Sequence, residues 1–144
     1  SVIQKKPFSQ AAGSLAGLLL PLGAGIWLGC WNAGVGYAPL SGIGLFSPDE
    51  AGVSALRFPL QPCAAMIYAI GGLALERFGH NWLPGRRAAV TGLLVSLTVL
   101  FFSFIWVDPS PRWAGLRPDS WFAIIGGAAS LGGLIASYWE KSVA

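Results

Sequence analysis

The chain has 144 residues, of which 54% are hydrophobic and only 10% charged, with a formal net charge of +3 and a pI of about 9.2. A soluble domain carries about a quarter charged residues, so nine Lys and Arg with six Asp and Glu cannot cover a water-facing surface on a chain of this length. The basic excess does not point to nucleic acid, because it flanks apolar stretches, where Lys and Arg set membrane topology.

The charges cluster at Lys5–Lys6, Asp49–Arg57, Glu76–Arg87, Asp108–Asp119 and Glu140–Lys141. Between them lie the charge-free intervals Pro7–Pro48, Phe58–Leu75, Ala88–Val107 and Ser120–Trp139. Each is long enough for a spanning helix of about 17–25 residues. The expected fold is all-α, a single integral membrane domain over residues 1–144. It is a polytopic transmembrane bundle of four helices with a long apolar outer loop.

The first helix is expected over about Ser9–Trp31. Lys5 and Lys6 resemble the n-region of a signal peptide, but the apolar part exceeds an h-region of about 7–15 residues, so a retained span is expected. Pro21 falls inside and predicts a kink, which membrane helices tolerate when neighbours satisfy the freed carbonyl. Gly13 with Gly17, and Gly25 with Gly29, form two GxxxG pairs of the kind that let another helix approach closely. Glycine is also simply common in membrane helices.

The segment Asn32–Arg57 is broken by Gly34, Gly36, Pro39, Gly42 and Gly44 and is too apolar for an ordinary solvent loop. It is expected at the membrane interface or folded onto the bundle. Ser47-Pro48-Asp49-Glu50 has the cap, proline and acids of a helix start, predicting a short helix from Pro48 to about Leu56.

The second helix is expected over about Pro59–Arg77, with Gly71 and Gly72 as a close-approach patch. Pro84–Gly85 marks the turn into a third, over about Arg86–Val107. Thr91, Ser96, Thr98 and Ser103 can bond back to that helix, so they need not mark a polar path. The fourth, over about Ser120–Trp139, is capped by Asp119 or Ser120. Gly126, Ser130, Gly133 and Ser137 form a small-residue stripe on it, whose expected mate is the first helix. Trp31, Trp82, Trp106, Trp113, Trp121 and Trp139 sit near span ends, as an aromatic belt requires, while Trp27 lies deeper.

With a cytoplasmic N-terminus, the inside segments hold Lys5, Lys6, Arg77, Arg86, Arg87 and Lys141, and the outside loops only Arg57, Arg112 and Arg117. The positive-inside rule therefore places both termini in the cytoplasm.

No catalytic constellation is legible. His80 is the only histidine and reads as a loop residue rather than a ligand. No span carries an internal charge, which argues against a self-sufficient pump or proton-coupled transporter. Cys30 and Cys63 fall at similar depth near the outer face and either pair or stay as buried thiols. Gln61 and Tyr68 lie seven residues apart on one helix face, with Cys63 and Met66 on nearby turns. They either make interhelical hydrogen bonds or line a pocket for a lipid headgroup or quinone. Trp27 is the third candidate contact for a lipid or pigment.

The runs Leu45-Phe46-Ser47-Pro48-Asp49-Glu50, Phe58-Pro59-Leu60-Gln61-Pro62-Cys63, Ile70-Gly71-Gly72-Leu73 and Arg77-Phe78-Gly79 resemble the first two helices of the Insig family. Ser120-Trp121, Gly126-Gly127 and Gly132 resemble its last helix. The resemblance implies a small bundle holding a lipid, a sterol or a diacylglycerol, in a central cavity. That family has six spans, so an internal helix pair has no counterpart here. In size and in Arg57-Phe58-Pro59 the chain is also similar to the small four-span subunit of tripartite tricarboxylate transporters. The expected function is a non-catalytic accessory or structural subunit of a larger membrane complex, for transport or energy conversion. The alternative is an Insig-like lipid-binding bundle. Expected partners are membrane lipids and other membrane-protein subunits. No cofactor or metal is expected, although a bound lipid is possible.

Overall fold

A computed structural model describes residues 8–34, 40–49, 51–79, 81–82, 84–107 and 110–143. Lys5, Lys6, Glu50, His80 and Asp108, all weighed above, lie outside them. The described chain is mostly helical: α1 (Phe8–Asn32), α2 (Leu60–Phe78), α3 (Pro84–Ile105) and α4 (Pro118–Val143). Three stretches are long and apolar enough to cross a membrane: Gly13–Asn32, Gly85–Ile105 and Pro118–Trp139.

The helices run up and down, and their close contacts give the register. Gly23 of α1 meets Tyr68 of α2, and Leu20 meets Gly72, so the pair is antiparallel. On α3 and α4, Ala89 faces Gly133, Gly92 faces Ser130, and Ser96 faces Gly126 and Gly127. The seam ends where the Ser103 and Ser120 hydroxyls hydrogen-bond at 2.8 Å. The α1, α2 and α3 helices pack together, while among the described elements α4 packs on α3 alone.

This corrects the mate expected for the α4 stripe, which is α3 and not α1. The reason is that α3 is small-faced too, and Ala89, Gly92 and Ser96 recur on its α4 side one turn apart. Its other side presents Thr91, Thr98 and Phe102 to the rest of the bundle. The α3 hydroxyls at Thr98 and Ser103 return to the carbonyls of Leu94 and Leu100, each at 2.8 Å, so they are buried without opening a polar path. At the other end of the seam, the Arg86 guanidinium lies 4.7 Å from the Trp82 ring centroid and 4.8 Å from that of Tyr138. Its Nη2 donates to the Tyr138 hydroxyl at 2.7 Å, tying α4 to the start of α3.

The inward face of α1 is Ala16, Leu20 and Trp27, which are buried, with Gly23 in close contact with Tyr68, spaced as one helix face. The GxxxG glycines point elsewhere: a Cβ at Gly17, Gly25 or Gly29 would have nothing within 4 Å, and Gly13 is half-buried. The α3 helix is the most enclosed, with only Leu97, Phe101 and Phe104 exposed among its described residues, while α2 buries Leu60, Gln61, Ala64, Ala65, Tyr68 and Leu75.

The apolar segment after α1 is not an irregular loop followed by a short helix. It forms a two-stranded antiparallel sheet, β1 (Leu40–Pro48) with β2 (Ser54–Arg57). Leu45 pairs with Arg57, Phe46 with Leu56, Ser47 with Ala55 and Pro48 with Ser54. The acid read as helix-capping closes the turn instead. Asp49 Oδ1 accepts from the Ala51 and Val53 amides at 2.9 and 2.8 Å, and its Oδ2 lies 3.5 Å from Arg57 Nη2. Gly52 adopts the positive φ of +80° that the turn needs. At Gly44 the ladder bulges, and a Cβ there would run into the Arg57 carbonyl. The hairpin is seated on the end of α1, where Gly34, at φ +68°, would place a Cβ 2.7 Å from the Pro48 carbonyl oxygen.

Candidate functional site

Two cavities flank the buried Tyr68–Trp27 contact. The Cδ2–Cε2 edge of the Tyr68 ring abuts Gly23, its hydroxyl donates to the Val95 carbonyl at 3.4 Å, and Trp27 belongs to the same buried cluster. Trp27 in turn stacks obliquely on Phe102 and Trp106, with centroid separations of 6.0 and 5.4 Å.

The larger cavity, about 600 Å³, is a cleft along α1 from Ala16 to Leu28, walled by α2 and α3. Tyr68 forms part of its wall, and Gly17 and Gly25 form its rim. At the end beside Ala16, Arg87 Nη2 donates to Glu76 Oε1 at 2.8 Å. The smaller cavity, about 460 Å³, lies at the other end of the bundle beneath the 110–119 connection. Trp27, Cys30, Trp106 and Arg117 line it. The Arg117 guanidinium sits 5.2 Å from the Trp106 ring centroid, and its Nε donates to Asp119 at 3.0 Å.

The candidate lipid contacts read from the sequence are therefore separated. Tyr68 borders the larger cavity and Trp27 the smaller. Gln61 is buried and lines neither. Met66, expected beside them, points out of the bundle. Gly126, Ser130 and Gly133 are spent on the α3 seam. Cys30 and Cys63 are free, half-buried thiols. Gly23 was missed: it belongs to no GxxxG pair, and the signal that finds it is its place with Ala16, Leu20 and Trp27 on one face. Arg87 and Glu76 were read only as topology and span-end charges, since their pairing across two helices has no local signature.

Among the described residues, no three His, Cys, Asp or Glu side chains gather as a metal site. The arrangement thus offers apolar concavities with a charged pair at one mouth and a cation–aromatic pair at the other. Apolar concavities with a few converging polar groups are the general form of a small-molecule site. The fold defines a helical protein with three helices able to cross a bilayer. Comparison with protein-family models, curated proteins and solved structures finds no match.

Proposed function

We propose that this protein is a non-catalytic, four-span accessory subunit of a larger membrane complex, with both termini cytoplasmic. The α2 helix is the fourth span. Its 19 residues, at about 1.5 Å each, approach the roughly 30 Å hydrocarbon thickness. Its polar Gln61 and Tyr68 are turned inward, away from lipid.

The observation that carries the accessory role is the β1–β2 hairpin. It stands outside the spans yet exposes Ile43 at 86% and Phe46 at 77%, with Leu45 and Val53 beside them. A two-stranded sheet is marginal alone, and apolar projections of this kind are covered by another surface. In a complex that surface is a neighbouring subunit at the outer face of the membrane.

A second reading, a lipid-holding bundle of the Insig kind, is favoured by the cleft along α1. Purification in mild detergent separates the two. The accessory reading expects a stoichiometric partner polypeptide that is lost in Phe46→Lys while helix content is retained. Wild-type protein migrating alone as a monomer overturns it.

A further inference from the structure

We infer that the cleft along α1 is a binding site for one acyl chain of an anionic phospholipid, with its phosphate held at Arg87. The inference rests on the membrane-embedded reading and not on assembly with other subunits.

The dimensions favour a single chain. From Ala16 to Leu28 the cleft follows thirteen residues of α1, about 18 Å from end to end at 1.5 Å per residue. Half of a 30 Å hydrocarbon core is about 15 Å, so the cleft is about as long as one acyl chain is deep, and it runs from near the start of the Gly13–Asn32 span past its middle. Its walls are apolar apart from Tyr68, Thr91 and the charged pair at one end. Tyr68 has its hydroxyl turned to the Val95 carbonyl and offers the cleft mainly its ring.

The charge favours an anionic headgroup. Antiparallel packing of Leu20 on Gly72 and Gly23 on Tyr68 puts Glu76 level with Ala16, at the cytoplasmic end of the proposed topology. Arg87 lies there with its side chain 27% exposed, and Arg77 and Arg86 belong to the same charge cluster. Basic sites between spans on the cytoplasmic side receive anionic headgroups, and a guanidinium binds phosphate through paired N–H donors. The carboxylate now on Arg87 is the exchangeable partner, because the Glu76 side chain is 71% exposed and can swing into water when a phosphate arrives.

The test is native mass spectrometry of the full chain in mild detergent, with phosphatidylglycerol and phosphatidylcholine of identical chains added in equal amounts. The expected result is one retained phosphatidylglycerol, favoured over phosphatidylcholine by about tenfold, the scale of one charge-assisted contact. Arg87→Gln should bring the two lipids near parity, and Glu76→Gln should raise phosphatidylglycerol occupancy. Gly25→Leu, whose side chain enters open space on the cleft rim, should lower retention of both lipids without altering helix content. No retained phospholipid, equal retention of both by wild type, an unchanged preference in Arg87→Gln, or retention of a neutral lipid in their place overturns the inference. Alkaline extraction of the membranes, run alongside, separates the two failures. Release of the protein sinks the membrane-embedded reading, whereas retention without lipid sinks this site alone.

Discussion

Gly23 of α1 and Tyr68 of α2 meet so closely that a methyl group on Gly23 would lie 2.5 Å from Tyr68 Cε2 and 2.7 Å from Cδ2. The ring has little room to retreat, because it is 2% exposed and its hydroxyl is held by the Val95 carbonyl. Helix approach here is set by the absence of a single carbon.

Gly23→Ala should therefore destabilise the bundle by about 1–3 kcal/mol, the usual scale of overpacking. Gly25→Ala, two residues on and facing open space, should be neutral or slightly stabilising through helix propensity. Thermal unfolding in detergent reads both. Equal midpoints for the two variants would show that the α1–α2 interface is not seated on Gly23.

The α3–α4 seam makes a paired prediction. A Cβ on Gly92 would collide with Ser130 Oγ, while the Ser130 Cβ stands at an ordinary 3.5 Å. Gly92→Ala should cost about 1–2 kcal/mol, and adding Ser130→Ala should recover most of it, because the colliding oxygen is gone. A double-mutant cycle on the unfolding free energy measures this coupling. Strict additivity of the two changes would contradict the seam.

Asp49 closes the hairpin turn, accepting from two amides and standing beside Arg57. Asp49→Ala removes an acceptor from two amides and the carboxylate beside Arg57. It should loosen the turn by about 1–2 kcal/mol, the scale of lost hydrogen bonds at side chains that are only 19% and 13% exposed. Amide hydrogen exchange over residues 44–57 should quicken several-fold while α2 and α3 stay protected. Unchanged exchange there would mean that the turn does not depend on Asp49.

The helices were largely legible because each is an uninterrupted apolar stretch bounded by charge, glycine or proline. The faces were not. In a soluble helix the polar side shows which way the core lies, but a helix surrounded by lipid is apolar on both sides. Glycine spacing then drew the eye to Gly17, Gly25 and Gly29, which face open space, and away from Gly23. The α4 stripe was legible as a packing surface, but its partner was not, since small residues on α1 and α3 look alike until the chain is folded.

The hairpin was hidden for a different reason. Ser54–Arg57 has little strand propensity of its own, and it becomes a strand only because β1 lies alongside. Gly42 and Gly44 read as breaks, whereas Gly44 is what lets the Arg57 carbonyl come close. Likewise Asp49, followed by an acid, carries a helix-start signal that the turn's own amides outcompete.

By itself, then, the sequence determined where apolar helices begin and end, because that depends on local composition and on the length needed to cross a bilayer. Only the tertiary structure decided which glycine faces a neighbour, which helix α4 leans on, and that Arg87 meets Glu76 at the mouth of a cleft. Those are contacts between different helices. They are fixed by close steric fit, and a one-dimensional pattern carries no record of it.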